Sequence, residues 1–227
     1  MTDGPADPFD TAGVRARVLD AWAASPSRFR EDANAEEDYA LGGYRDRVIV
    51  ELAQNAADAA VRGGVPGRLR LTLADGALTA LNTGAPLDAA GVEALSTLRA
   101  SGKRGDGTDG GTAGTGGTVG RFGVGFAAVV AVSDRPCIRS ATGAVGWSRQ
   151  RTRDLVDAIP ALAGELGARS GHVPVLRLPF ADGPAGTGAG DDATGRPHVG
   201  GPGGREPAGR RALPGGFVTA VELPLRD

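Results

Sequence analysis

The sequence predicts an α/β fold in which antiparallel strands are flanked by helices. Two alternating apolar segments lie on either side of Asp75-Gly76, which is the sequence signal of a two-residue hairpin turn. Apolar residues recur at helical spacing both before and after this hairpin. A last alternating segment, G-F-V-T-A-V-E-L-P-L, predicts a strand that closes the fold.

Two helices are predicted before the hairpin. Apolar residues at helical spacing predict an amphipathic helix from Thr11 to about Ala24, and Pro26 ends the pattern. The acidic stretch that follows, E-D-A-N-A-E-E-D-Y, is interpreted as a solvated loop, because charge runs favour solvent. A second and stronger helix is predicted from about Tyr44 to Arg62, and the pair Gly63-Gly64 ends it.

Further elements of the same two kinds follow the hairpin. A helix is predicted from Leu87 to Leu98, behind Pro86 and with Asp88 as its N-cap. The other predicted elements are strands over residues 136–141, 144–148 and 173–180, and a helix near residues 151–158. They extend both the predicted sheet and the predicted helical layer.

Two segments are too rich in Gly and Pro to build a core. Residues 101–120 are predicted to form a mobile loop, not a domain linker, because the segments on either side look like parts of one core. A second insert, residues 181–214, is predicted to lack regular structure. The predicted organisation is one domain over residues 44–227, with an N-terminal helix and acidic loop, residues 1–43, packed on it.

Charge and composition argue against several functional classes. The chain of 227 residues has a formal net charge of -2, so it has no overall attraction to nucleic acid or to an anionic membrane. One cysteine and two histidines exclude an internal disulfide and leave no cluster at zinc-ligand spacing. The longest apolar run, Phe126 to Val132, is too short to span a bilayer. We therefore expect a cytoplasmic protein without nucleic-acid or membrane partners.

The second predicted helix carries the first candidate site. Glu51, Asn55 and Asp58 stand at positions i, i+4 and i+7, so the pattern predicts that they share one face. An Asn oxygen together with substrate phosphates can hold a hard divalent cation, and Glu51 could then orient or deprotonate a water molecule. The alternative is an ordinary charged helix face in solvent.

A second candidate lies where the second hairpin strand ends, in L-T-A-L-N-T-G-A-P-L. Asn82 at a strand end offers both a hydrogen-bond donor and an acceptor, which is what reading the edge of a base requires. Gly84 then turns the chain towards the next helix. The alternative is a plain Asn-containing turn.

The third candidate is the stretch V-G-R-F-G-V-G-F, residues 119–126. Gly120, Gly123 and Gly125 come directly before a predicted helix, so backbone N–H groups there can face an anion without an intervening Cβ. The stretch lacks the G-K-[ST] of a Walker motif. It also lacks the preceding strand of a dinucleotide fingerprint.

The order of these motifs resembles that of the GHKL ATPase superfamily, from Tyr44 to about Asp227. The closest resemblance is to the ninety-kilodalton heat-shock chaperones and to sacsin-type N-terminal ATP-binding domains. The stretches E-L-A-Q-N-A-A-D-A-A and G-R-F-G-V-G-F of this chain are nearly identical to motifs of those families. The segment L-S-T-L-R-A-S-G-K lies where these families enter their lid. The resemblance implies the Bergerat fold, a two-layer α/β sandwich with a mixed, mainly antiparallel sheet covered on one face by helices.

The resemblance assigns roles to the helix and strand residues. Glu51 takes the place of the catalytic glutamate, Asn55 that of the magnesium-binding asparagine, and Asp58 that of an aspartate lining the nucleotide pocket. Asn82 stands where the family has its adenine-reading aspartate. The remaining implied contacts with ATP are those of Gly84, Leu87 as the apolar wall beneath the adenine, the lid residues Gly120, Phe122, Gly123, Val124 and Gly125, Phe126 at the start of the next helix, and Thr219 on the closing strand.

The implied function is an ATP-binding and weakly ATP-hydrolysing chaperone-like domain with Mg²⁺ as cofactor, in which nucleotide binding closes the 101–120 lid. Client or partner proteins are implied as well. A neutral Asn82 accepts a hydrogen bond more weakly than a carboxylate does, which points to weaker adenine binding. The alternatives are a nucleotide-binding or interaction module without turnover, a histidine-kinase-type domain and a DNA-repair-type domain. His172 and His198 both come too late in the chain for a phospho-accepting histidine on a preceding helix.

Overall fold

A computed structural model describes residues 7–41, 44–97, 126–181 and 213–226. Its centre is a sheet of five strands in the order β1-β2-β5-β3-β4, in which every pair of neighbours is antiparallel. The strands are β1 (Leu69–Ala74), β2 (Ala77–Asn82), β3 (Cys137–Ser140), β4 (Gly143–Gly146) and β5 (Thr219–Pro224). The predicted combination of an antiparallel sheet with helices is confirmed, and the fold is an α+β sandwich.

Four of the helices in the described part of the chain were predicted from apolar spacing, whereas the second and the last along the chain were not. They are α1 (Thr11–Ala24), α2 (Pro26–Leu41), α3 (Val48–Gly63), α4 (Ala89–Thr97), α5 (Arg149–Asp157) and α6 (Ala163–Ala168). Short 3₁₀ helices cover Tyr44–Arg47, Ala127–Ala131, Pro160–Leu162, Val175–Arg177 and Pro214–Gly216. No helix among the described residues combines the length and the apolar character that crossing a membrane requires.

The turn and the helix ends that the sequence predicts are also present. Asp75 and Gly76 both have positive φ angles, 51° and 70°, as a two-residue turn between twisted strands requires. Gly64 ends α3 in the left-handed conformation with φ 60°. The Asp88 carboxylate caps α4 by accepting a hydrogen bond from Gly91 N at 2.7 Å.

The acidic stretch from Glu31 to Tyr39 was predicted as a loop, and this prediction is wrong, because the stretch belongs to α2. Phe29, Ala33 and Glu36 recur at helical spacing and are buried, so the segment has an inward face despite its charge. The same Pro26 that ends α1 opens α2, since proline lacks only an N–H group that has no partner in the first helical turn.

The strand predicted over residues 173–180 is also wrong. Val175–Arg177 form a 3₁₀ turn, and Phe180 makes only an isolated antiparallel bridge with Gly146. The segment is buried throughout, and a short buried apolar run has no periodicity that distinguishes a strand from a turn. Pro174 and Pro179 have no N–H group to donate to a strand ladder.

The main core lies between the sheet and the helices. One row of neighbouring residues crosses all five strands: Leu71 is exposed at the edge, and Ala80, Val221, Ile138 and Val145 are buried in the core. Phe9, Val48, Leu52 and Val92 pack on this side of the sheet within the same cluster. A second cluster, which includes Trp22, Phe29, Val156, Leu162 and Leu178, joins α1, α2 and α5.

The predicted lid, residues 101–120, lies outside the described residues, and so does most of the predicted insert 181–214.

Candidate functional site

Helix α3 contributes the first part of the candidate site. Val48, Leu52, Ala56 and Ala59 recur every three or four residues and are buried, which fixes the rotation of α3 over the sheet. Asn55, beside this buried row, is half-buried and lines a cleft between α3 and the sheet.

The other two polar residues of the predicted α3 triad do not line this cleft. Asp58 is exposed. The Glu51 side chain is only 14% exposed, and Arg47 Nη2 lies 3.9 Å from Glu51 Oε1 one turn earlier. The structure therefore brings Asn55 to the cleft, places Glu51 next to a cation, and leaves Asp58 on the solvent side.

The end of the sheet forms the second wall. Asn82 on β2, Thr219 on β5 and Ser140 on β3 are direct neighbours across the three strands, so their side chains share the helix-facing side. The hydroxyl oxygens of Ser140 and Thr219 lie 3.3 Å apart. Leu87 N donates a hydrogen bond to Ser140 Oγ at 2.9 Å, which ties the start of the α4 segment to the sheet.

Ser140 was missed by the sequence analysis. Its only local signal is its place near the end of a predicted strand, and nothing in the sequence relates that position to Asn82 and Thr219. The relation comes from strand register, which is a property of the whole sheet.

Asn82 is oriented by its own backbone neighbours. Only 8% of the residue is exposed, and its Nδ2 donates a hydrogen bond to the Thr83 carbonyl at 3.0 Å. The Asn82 carbonyl accepts from Val218 N at 2.9 Å, so the backbone is held as well. This bond uses one N–H of Nδ2, so the amide keeps Oδ1 as an acceptor and a second N–H as a donor.

Gly84 allows the loop after β2 to lie directly on α3. Its φ angle is 127°, and a Cβ added there would lie 2.3 Å from the carbonyl carbon of Ala59. Ala85 N donates to Ala59 O at 2.8 Å across the same contact. No other residue type fits this position without a shift of the backbone, which explains the glycine in the predicted N-x-G turn.

Together these elements enclose one small cleft. Five of the predicted site residues line it, and they come from separate segments of the chain: Asn55, Asn82, Leu87, Phe126 and Thr219. Leu95, Ile138 and Val221 complete an apolar floor, and Arg62 adds a cationic group to the wall. The cleft thus combines apolar side chains with a few amide and hydroxyl groups, as small-molecule sites do.

The cleft has a volume of about 50 Å³, whereas ligand pockets typically have roughly 300–1,000 Å³. It therefore holds no nucleotide in this conformation. Two larger cavities, of about 380 and 340 Å³, lie elsewhere. The first is lined by residues that include Trp22 and Arg28, and the second by residues that include Glu36 and His172, so neither contains a predicted site residue.

The predicted phosphate-binding residues fall largely outside the described chain. Gly120, Phe122, Gly123, Val124 and Gly125 are not among the described residues. Phe126 is buried in the core, and its ring centroid lies 5.5 Å from that of Trp147. The described segment after Phe126, Ala127–Ala131, is a 3₁₀ helix and not the α-helix that the glycines were expected to precede.

A metal ion in the cleft would need donor atoms from a bound nucleotide as well as from the protein. Among the described residues, no group of three or more His, Cys, Asp or Glu side chains lies close enough to hold a metal ion. The Asn55 amide oxygen is a suitable hard ligand for Mg²⁺, which commonly keeps one or two protein ligands and takes the others from phosphate and water. The donor set therefore fits a magnesium ion that arrives with a nucleotide.

No protein-family model matches the chain, and no curated protein matches it with significant sequence similarity.

Proposed function

We propose that the chain is an ATP-binding domain of the GHKL type, which binds Mg²⁺-ATP in the cleft between α3 and the sheet and hydrolyses it slowly. The observation that carries the proposal is the convergence of Asn55, Asn82, Leu87, Phe126 and Thr219 on one cleft. These residues were selected from short motifs and from the resemblance of their order to the GHKL superfamily, and they are separated by up to 164 positions in the chain.

The adenine would lie at the sheet end of the cleft. Asn82 Oδ1 would accept a hydrogen bond from the exocyclic amine, and the Thr219 hydroxyl would contact the ring next to it. Leu87, Leu95 and Ile138 offer the apolar surface on which a base can rest. Because these side chains nearly fill the cleft, binding requires them to move apart, and this rearrangement lowers the affinity.

The phosphate end would lie towards α3. Asn55 would hold the magnesium ion that ATP brings, and the ion would neutralise charge on the phosphates. Glu51, in the first turn of α3, would orient the attacking water and accept its proton. The glycine stretch 119–126 would supply backbone N–H groups for the phosphates.

The experiment is isothermal titration of the purified chain with ATP plus Mg²⁺, and separately with ADP and GTP. We expect Mg²⁺-dependent binding that prefers adenine, a loss of at least tenfold in affinity in Asn55→Ala, and unchanged affinity in Gln54→Ala, which alters an exposed neighbour on the same helix. Absence of ATP binding by the unmodified chain would contradict the proposal.

A second candidate, a nucleotide-binding module without turnover, is favoured by one observation. Arg47 Nη2 lies 3.9 Å from Glu51 Oε1, so the carboxylate that would orient the water faces a cation instead. Phosphate release measured beside binding separates the two functions. We expect slow release that is abolished in Glu51→Ala with binding retained; binding without release by the unmodified chain would establish the module instead.

A further inference from the structure

Strand β1 (Leu69–Ala74) is an edge of the sheet. The backbone N–H and C=O groups of successive residues point alternately towards β2 and away from the sheet. Thr83 N donates to Arg68 O at 3.1 Å, so the backbone groups of Arg68 point towards β2. In an antiparallel pair this direction alternates along the strand. The backbone groups of Arg70 and Thr72 therefore also point towards β2. The N–H and C=O groups of Leu69, Leu71 and Leu73 point outward.

Strand β1 itself, and the described residues around it, provide none of the usual protection of an edge strand. It pairs with β2 residue by residue over its full length, so it contains no bulge, and it contains no proline. Its one charged residue is Arg70. Leu71 is 39% exposed and Leu73 is 70% exposed. Within the described part of the chain no strand other than β2 pairs with β1.

The sequence of this edge is complementary to itself. In an antiparallel pairing of two copies centred on Leu71, Leu71 faces its own symmetry mate and Leu69 faces Leu73, so every outward N–H and C=O group of the three leucines finds a partner. Arg70 then faces Thr72, and no two like charges are opposed. Centring the pair on Arg70 or Thr72 leaves some of these backbone groups unpaired, and the first choice also opposes two arginines.

We propose that the chain forms a two-fold symmetric homodimer in which β1 pairs antiparallel with β1 of a second copy, centred on Leu71. The two sheets become one continuous sheet. The two-fold axis is perpendicular to that sheet, so the leucines of both copies lie on the same face and cover one another. The pairing thereby removes both the free backbone groups and the apolar exposure of the edge.

The oligomeric state of the full chain tests the dimer directly. Sedimentation measured over a range of concentrations should give a dimer that dissociates on dilution. Leu71→Pro should give a folded monomer, because the lost N–H group points away from β2 and proline is tolerated at such an edge position. Circular dichroism checks that the fold is retained. A chain that is monomeric at every concentration would overturn the proposal.

Cysteine cross-linking tests the register and does not depend on the proline variant. Opposed residues in a hydrogen-bonded antiparallel pair have Cα atoms about 5.5 Å apart, within the range of a disulfide. Leu71→Cys should therefore form a covalent dimer under mild oxidation. Leu73→Cys is the matched control: it is more exposed, but its symmetry mate would be roughly 14 Å away. The native Cys137 is buried and does not interfere. Cross-linking of Leu73→Cys as fast as Leu71→Cys would overturn the register.

Discussion

Among single residues, Glu36 has a strongly perturbed environment. It is 5% exposed, and its two carboxylate oxygens accept hydrogen bonds from Val175 N at 2.6 Å and Leu176 N at 3.0 Å. Burial raises its pKa to about 7, although these hydrogen bonds and the charges of Arg177 and Arg149 oppose the rise. Glu36 thus holds the 3₁₀ turn Val175–Arg177 against α2 while it stays close to its titration point at neutral pH.

This raised pKa predicts a pH dependence of stability. The folded-state pKa of about 7 exceeds the ordinary value of 4.5, so the folded chain binds the proton more tightly than the unfolded chain does. The Glu36 contribution to the free energy of unfolding is therefore present in full below pH 4.5 and is lost as the pH rises through 7, by about 3 kcal/mol at most.

Urea denaturation at pH 5 and pH 8 measures this effect. The Glu36→Gln variant cannot titrate at this position, so subtracting its pH difference from that of the unmodified chain isolates the contribution of Glu36. We expect the unmodified chain to lose more stability than the variant between pH 5 and pH 8. An equal loss in both would show that Glu36 titrates normally.

Gly84 predicts a second effect at a single position. Gly84→Ala should lower the free energy of unfolding by more than about 2 kcal/mol, because the added Cβ meets the backbone of Ala59 and the φ angle of 127° is strained for alanine. Gly76→Ala is the control: its φ angle is also positive, 70°, but open space surrounds it, so the loss should be only about 1 kcal/mol. Equal losses in urea denaturation would show that the contact with α3 contributes nothing.

At the scale of elements, α3 and the end of the sheet together define the cleft. The rotation of α3 is set by its buried apolar row, and this rotation decides which polar residue reaches the cleft. Asn55 does so, while Asp58, one turn further, stays in solvent. Residues that share a helix face in a sequence pattern can thus lie in different environments when the neighbouring strands cover only part of that face.

This placement separates two substitutions that the sequence pattern treats alike. We expect Asp58→Ala to change the affinity for Mg²⁺-ATP by less than about twofold, because the Asp58 carboxylate is exposed and does not line the cleft. The same titration with Asn55→Ala should show a loss of at least tenfold. Equal losses would mean that Asp58 turns into the cleft when nucleotide binds.

Ser140 links the sheet to the segment that carries Leu87. In Ser140→Ala the Leu87 N–H group loses its acceptor, which should lower the free energy of unfolding by about 1–2 kcal/mol. The same variant should bind ATP more weakly, since Leu87 is no longer held at the cleft. Unchanged stability and unchanged affinity in this variant would show that Ser140 does not position Leu87.

At the scale of the whole molecule, ligand binding and folding are coupled. A ligand that binds only the folded chain adds about 2.7 kcal/mol of stability at a concentration of 100 times its Kd, which for a chain of this length raises the Tm by roughly 5–10 °C. We expect this rise with ATP plus Mg²⁺, and we expect EDTA to abolish it. A rise of the same size with GTP would argue against adenine recognition by Asn82 and Thr219.

Local sequence patterns were enough to predict much of the fold. The hairpin follows from Asp75-Gly76 between alternating segments, and α1 and α3 follow from apolar residues at helical spacing with Pro26 and Gly64 at their ends. These signals are local because backbone dihedral angles and the helical repeat involve only residues close in sequence. The residues proposed for the site were selected from short motifs and from the resemblance of their order to the GHKL superfamily.

Other features depended on contacts between distant residues. The acidic segment of α2 is helical because Phe29, Ala33 and Glu36 are buried on one face of the helix. In the buried segment around Val175–Arg177, backbone N–H groups donate to the Glu36 carboxylate and not to a neighbouring strand. The alignment of Ser140 with Thr219, the exposure of Asp58 and the small volume of the cleft likewise come from strand register and packing. Burial and register are properties of the assembled chain, and no local spacing encodes them.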